Sequence, residues 1–247
     1  MVEAEDSTRG IPHSIADLQA RLTWTYPCTP ATVQAAKSSV TALRREAAEE
    51  LEVATPFVIP KFLLPTAADS ELRGSEIGLA HHNFLQWVDL ARILDRDGLK
   101  EESARLVAAN LLSAQQAAAL ELPAIARFWN SELGGLILQH KENVQRELPF
   151  TVRLTRDTDA SIPLLSRIPE GEFIVVQGAI DLAVLLPKEI WIVDFKTDQV
   201  AGNALAEKAR EYSVQLRLYA LALTEIYRKP VTRCWLHFLH PGETRQV

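Results

Sequence analysis

The hydrophobic period of this chain changes near residue 140, and that change restricts the fold more than any other feature of the sequence. Ahead of it the chain has helix-forming, Ala- and Leu-rich composition. After it come "VQRELPFTVRLT", "EFIVVQGAIDLAVLL", "EIWIVDFK" and "VTRCWLHFL", β-branched or aromatic runs of strand length. Between the last two lies "ALAEKAREYSVQLRLYALALTEIYRK", a helix by composition and period. A helical first half followed by β–β–β–α–β predicts an α/β (α+β) fold, with a mixed central sheet flanked by helices.

The helical half carries its own punctuation. Residues 1–12 read as a disordered lead-in. Thr29 with Pro30 suits the start of a helix running through "VQAAKSSVTALRREAAEELE". "TPFVIPKFLLPTAADS" reads as an extended connector. A second helical pattern runs from Glu76 to an expected stop at Asp97-Gly98. Two or three helices follow over 99–133, punctuated by Pro123 and closed at Gly134-Gly135. At 247 residues the chain suits one large or two modest domains.

The segment "QGAIDLAVLLPKEIWIVDFKTD" sets charge inside two runs that otherwise read as core strand. A hairpin turning at Pro187-Lys188 brings Asp181 opposite Asp194. Strand alternation then puts Lys196 on the face of Asp194, opposite the small Ala179. Two like charges so placed are destabilising, and burial adds several kcal/mol unless something positive compensates. A divalent cation would compensate them. Alternatively, Lys196 neutralises one carboxylate as a structural ion pair while the other reaches solvent.

Two further clusters accompany the hairpin. In "YSVQLRLY", Tyr212, Gln215 and Tyr219 share one helical face, either as a polar stripe beside the sheet or as core residues with a rim amide. In "EIGLAHHNFLQWV", His81 and His82 point about 100° apart, so one of the two can serve a given site.

Composition excludes several classes. Hydrophobic residues at 47% and charged residues at 23% match an ordinary globular protein. No apolar run reaches the roughly 18–20 residues of a membrane span, and the acidic, polar "MVEAEDSTRG" resembles neither a signal nor a transit peptide. Cys28 and Cys234 are far apart and cannot supply a four-cysteine metal site, which favours a reducing compartment. A net charge of −6 argues against a free-standing nucleic-acid binder, although residues 200–247 carry seven Lys/Arg against four Asp/Glu. No GxxxxGK[ST] phosphate loop occurs, so no ATP site is expected.

Taken in order, G-x-x-x-H from Gly78 to His82, "GAID" from Gly178 to Asp181, "DFK" from Asp194 to Lys196 and "YSVQLRLY" from Tyr212 to Tyr219 resemble the C-terminal nuclease domain of the AddA/RecB type of ATP-dependent helicase–nuclease, a PD-(D/E)xK family. "WTYPCTPATVQAAKSSVTALRRE" is similar to the linker before that nuclease, and "LHFLHPGETRQV" to its last strand and terminus. The resemblance implies a restriction-endonuclease-like core. Residues 1–60 would form a linker or N-terminal extension with a helix. Residues 61–247 would form a RecB-like nuclease domain, helical over about 76–135 and catalytic over about 140–247.

It further implies metal ligands at His82, Asp181, Asp194 and the Phe195 backbone carbonyl. Lys196 would be the catalytic lysine, with Gln215 and Tyr219 organising substrate or the attacking water, and Glu147 and Tyr212 in an outer shell. Mg2+ is the implied ion, with Mn2+ a competitor because imidazole suits softer cations; no iron–sulfur cluster is expected. The implied activity is hydrolysis of single-stranded DNA fed by an associated helicase, in double-strand-break processing and recombinational repair. DNA ends, helicase motor domains and an AddB-like second subunit would be the partners, in a bacterial cytoplasm without membrane association. Two alternatives share these features: a catalytically silent scaffold of the same fold, and a stand-alone exonuclease of CRISPR or phage type.

Overall fold

A helical first half precedes β–β–β–α–β as the change of period predicts, with one short strand added at each end of the sheet. The computed structural model describes residues 14–25, 37–49, 74–93, 95–159 and 162–247. The lead-in over 1–12, the Thr29-Pro30 helix start and the connector around Pro56–Pro65 lie outside them. Residues 1–35 and 36–247 form separate units. In the first, α1 (Ile15–Thr23) is capped by Ser14, whose hydroxyl accepts the Asp17 N–H. Among the described residues, no helix is long and apolar enough to cross a membrane.

The larger unit begins with a departure from the expected helix. Lys37–Ser39 is a strand, β1, pairing in parallel with Val175–Gln177. Helix α2 (Val40–Glu49) starts only after it, with the Ser39 hydroxyl accepting the Ala42 N–H at 3.1 Å. Serine favours a helix cap over a helix interior, which explains the later start. Val40 and Leu43 are buried against the sheet. Thus 37–49 are part of the folded body.

Helices α3 (Gly74–Trp87), α4 (Arg96–Ala108), α5 (Ala114–Ala118), α6 (Leu122–Trp129) and α7 (Glu132–Gln139) form one layer. Two expected stops prove to be helix starts. Asp95 caps α4, its carboxylate accepting the Gly98 N–H at 2.6 Å, so Asp97-Gly98 lies in a first turn. Gly134-Gly135 likewise lies in the first turn of α7, capped by Ser131. A Cβ on Gly134 would sit 2.2 Å from the Phe128 carbonyl oxygen, whereas one on Gly135 would meet nothing within 4 Å. Gly134→Ala should therefore cost at least about 2 kcal/mol through overpacking, and Gly135→Ala should gain about 0.5–1 kcal/mol of helix propensity. Urea unfolding of the two variants measures both signs.

The sheet is mixed. Strand β2 (Val144–Leu154) pairs antiparallel with β3 (Ile174–Leu185) along its length except at Glu147, occupying one edge of β3. Strand β4 (Ile190–Lys196) takes the other edge at Leu182–Leu185, in the register that a turn at Pro187-Lys188 dictates. The Leu186 N–H donates to the Glu189 carbonyl at 3.0 Å to close that turn. The 25-residue helix α8 (Asn203–Tyr227) crosses to β5 (Val231–Phe238), parallel to β4, and β6 (Glu243–Gln246) completes the far edge.

Alternation along β4 divides the core. Trp191, Val193 and Phe195 pack toward α3–α7, while Ile190 and Ile192 join α2 and α8 on the other side. The next residue on the α8 side is Asp194, fully buried. Because β1 covers Val175–Gln177 and β4 covers Leu182–Leu185, residues 178–181 face a gap between them on that edge of β3.

Candidate active site

The gap is where the sequence placed its charges. The β3–β4 ladder ends at Leu182↔Val193, one position before Asp181 and Asp194 would oppose each other. In place of that pairing, the Asp181 carboxylate accepts the Phe195 N–H at 2.7 Å. The Asp181 carboxylate thereby gains a backbone donor, and the directly opposed pairing of like charges that a continuous ladder would enforce is not formed. The N–H and C=O of one strand residue project toward the same neighbour, so the Phe195 carbonyl shares that direction.

Helix α3 brings His82 to the gap. It approaches the end of β4 closely at Gly78, where a Cβ would lie 3.0 Å from Thr197 Oγ1. One turn later His82 Nδ1 stands 3.4 Å from Asp181 Oδ1 and 3.7 Å from Glu147 Oε1. Its neighbour His81 is turned into the core, with Nδ1 on the Ile77 carbonyl and Nε2 accepting the Glu121 N–H. That partnering makes His81 a structural, neutral imidazole, lowered by burial.

Glu147 enters from β2, whose register sets it across from Asp181. Its φ of 48° is a left-handed conformation that glutamate seldom adopts, and such backbone concentrates at functional sites. One ligand atom from each of His82, Glu147 and Asp181 lies within 4.8 Å of the other two.

Asp194 has different company. Lys196 Nζ stands 2.5 Å from Asp194 Oδ2 as an ion pair, yet that oxygen receives no well-directed hydrogen bond. Asp194 Oδ1 accepts one amide hydrogen of Gln215 at 3.0 Å, and the other goes to the Tyr219 hydroxyl at 2.8 Å. Tyr219 is 5% exposed and packs edge-on to Phe150, so it stands behind Gln215, away from the cleft. Tyr212 donates its hydroxyl to Asp198, and Lys196 Nζ lies 4.4 Å from the centre of its ring. A cleft of about 500 Å³ opens over His82, Phe195, Lys196, Asp198 and Tyr212.

The electrostatics follow from burial against neighbours. Burial disfavours a charged His82, but Asp181 and Glu147 outweigh it and push the imidazole up to about 10. Burial also opposes charge on Asp181, where His82, Lys196 and the Phe195 N–H prevail and hold it low. For Asp194, burial and then the Asp181 charge win over Lys196, and its carboxyl is pushed up to about 6. Burial, reinforced by the nearby carboxylates, raises both tyrosine hydroxyls, which stay protonated.

The sequence-predicted residues thus meet in two linked groups: His82, Glu147 and Asp181 on one side, and Asp194, Lys196, Gln215 and Tyr219 on the other. Arg44 was not foreseen. Its guanidinium, from α2, lies 3.4 Å from Gln215 Oε1 and 4.8 Å from the Tyr212 ring centre. A contact between residues 171 positions apart leaves no trace in local sequence pattern.

Known proteins bear on this arrangement. The chain is 32% identical over 232 residues to an ATP-dependent helicase/nuclease subunit of Thermoanaerobacter sp. (strain X514), covering 92% of this chain and 18% of the relative. Against the protein of the same name from Moorella thermoacetica it is 33% identical over 238 residues, covering 92% and 16%. Against that from Bacillus cytotoxicus it is 34% identical over 230 residues, covering 88% and 18%. The chain therefore spans less than a fifth of the length of these relatives. Among solved structures, SSO0001 aligns over 93% of this chain and 71% of its own at a TM-score of 0.35 and 11% identity. The family model of the PD-(D/E)XK nuclease superfamily matches residues 59–247, which hold the split ladder with its carboxylates and lysine, and the chain belongs to that superfamily.

Proposed function

We propose that this chain is a metal-dependent deoxyribonuclease module that hydrolyses phosphodiester bonds of single-stranded DNA delivered by a helicase motor, in double-strand-break processing. The observation that carries the reading is the meeting of His82, Glu147 and Asp181 beside the Asp194–Lys196 pair at a gap in the sheet.

The residues fit a divalent cation. Asp194 is fully buried with Lys196 beside its Oδ2, and the donor set is carboxylate oxygen with one imidazole, which suits Mg2+ or Mn2+. His82, Glu147, Asp181 and Asp194 would hold the ion, with the Phe195 carbonyl completing the set. Bound there, it would polarise the scissile phosphate and lower the pKa of an attacking water. Lys196 orients that water and stabilises charge developing on the phosphoryl oxygens. Gln215 positions Asp194, and Tyr219 positions Gln215 by accepting its second amide hydrogen.

The relatives carry both activities in their name, and this chain spans a small share of them. We assign it the nuclease share, over residues 37–247, and its partners would be motor domains and an AddB-like second subunit. Incubating the chain with circular single-stranded DNA tests the activity. Cleavage is expected with Mg2+ or Mn2+ and none with EDTA; an uncut circle under every metal removes the reading.

Glu147 supplies an independent check. Glu147→Gly relieves the left-handed backbone and should stabilise the metal-free chain by about 1 kcal/mol. The same change should weaken metal binding roughly tenfold through loss of a carboxylate. Thermal melts with and without Mn2+ read both effects at once.

A further inference from the structure

Arg44 is a half-buried cation, and no carboxylate pairs with it among the described residues. Its Nε is buried and has no hydrogen-bond partner among the described residues. Its one polar contact among the described residues is the long Nη1–Gln215 bond, to a neutral amide. The nearest other feature is the Tyr212 ring. Asp198, the carboxylate at that ring, already accepts the Tyr212 hydroxyl, and Lys208, 5.9 Å from the ring centre, is paired with Glu211 at 2.7 Å. A guanidinium has five donors in a planar fork, and burying its Nε without an acceptor is unfavourable unless an anion arrives.

The arm that carries Arg44 is firmly held. Strand β1 hydrogen-bonds into the sheet, Ser39 caps α2, and Val40 and Leu43 are buried. Val40 also packs over Gly178, at the gap in β3. Arg44 reaches the same Gln215 amide that grips Asp194, so its charge stands one side-chain link beyond the carboxylate at the reaction centre. It lies ahead of residue 59, where the family match begins.

We propose that Arg44 contacts a phosphate of the DNA strand next to the one that is cut, so that α2, outside the matched region, supplies part of the substrate site. This rests on the nuclease reading. A backbone phosphate matches the guanidinium fork in charge and geometry, and Tyr212 and Gln215 hold the fork in place for it.

The test uses the full chain in EDTA, where no strand is cut, and a labelled oligothymidylate titrated over a range of salt. Arg44→Gln should bind about tenfold more weakly, with a log–log salt slope shallower by about 0.7. Arg44→Lys should keep the slope. A series of oligonucleotides, each with one methylphosphonate, should then show a position whose neutralisation weakens the wild-type chain and leaves Arg44→Gln unaffected. Equal affinity and slope for Arg44→Gln and the wild type overturn the proposal. So does lost cleavage with unchanged binding, which would mean that Arg44 acts only through Gln215. Should Arg44→Gln not fold, Arg44→Lys carries the test: its methylphosphonate-sensitive position must weaken by about threefold or more, since the fork is gone, and an unchanged profile overturns the proposal. Absence of metal-dependent cleavage by the wild type is a separate outcome, and it removes the nuclease reading instead.

Discussion

Asp194→Asn should abolish cleavage, by roughly a thousandfold or more, while leaving the metal-free chain more stable at pH 8 than the wild type. The two effects have one cause. Burial and the Asp181 charge push the Asp194 carboxyl up to about 6, above its ordinary 3.8. A folded-state value above the unfolded one favours the folded chain at low pH, and that advantage disappears as pH rises through about 6. At pH 8 the ionised Asp194 therefore costs on the order of 3 kcal/mol, which a neutral asparagine of the same shape removes. Near pH 4 the two proteins should melt alike. Lys196→Ala should abolish cleavage equally and do the opposite to stability. It strips the counter-charge from a fully buried carboxylate, a loss of about 3–5 kcal/mol when one partner of a buried pair is removed. The double variant should recover most of that loss, because neither charge remains. A Lys196→Ala chain as stable as the wild type at pH 8 would show that the pair has no electrostatic weight.

Divalent metal should bind more tightly as pH rises, by about tenfold per pH unit between pH 6 and 9. The metal-free site holds its carboxylates with a protonated His82, whose imidazole is pushed up to about 10. A ligand imidazole must be neutral, so each ion bound displaces about one proton. The same shift fixes the stability of the metal-free chain. The His82–Asp181 interaction stabilises it fully below about 6.5, and that contribution is lost as pH climbs through about 10. Metal should therefore raise the melting temperature most on the alkaline side. Calorimetry in buffers of different ionisation heat counts the protons directly. His82→Asn should bind metal weakly with no pH slope, and a pH-independent affinity in the wild-type chain would exclude His82 as a ligand.

Some of this molecule is legible in its sequence. The switch from period 3.6 to period 2 announced the sheet, and the Pro187-Lys188 turn gave the β3–β4 register, because antiparallel pairing follows from turn length alone. Helix boundaries fared worse. Asp97-Gly98 and Gly134-Gly135 resemble stops, yet each opens a helix, since Asp95 and Ser131 cap them and Gly134 is demanded by the nearby Phe128 carbonyl. Lys37–Ser39 looked helical and became a strand, because an open edge of β3 was available to pair with it.

What the amino-acid order determined by itself was local: which segments extend, which coil, which register one hairpin takes, and that acids and a lysine ride on it. Tertiary structure alone decided how those charges share partners. It ended the ladder one position early so that Asp181 took a backbone N–H, and it set Glu147 and His82 against Asp181 while Lys196 and Gln215 took Asp194. It also brought Arg44 across 171 positions to the same amide. The reason is physical. Periodicity reports how a residue relates to its neighbours along one element, whereas these contacts depend on how separate layers close over a shared gap, and only the packed core specifies that.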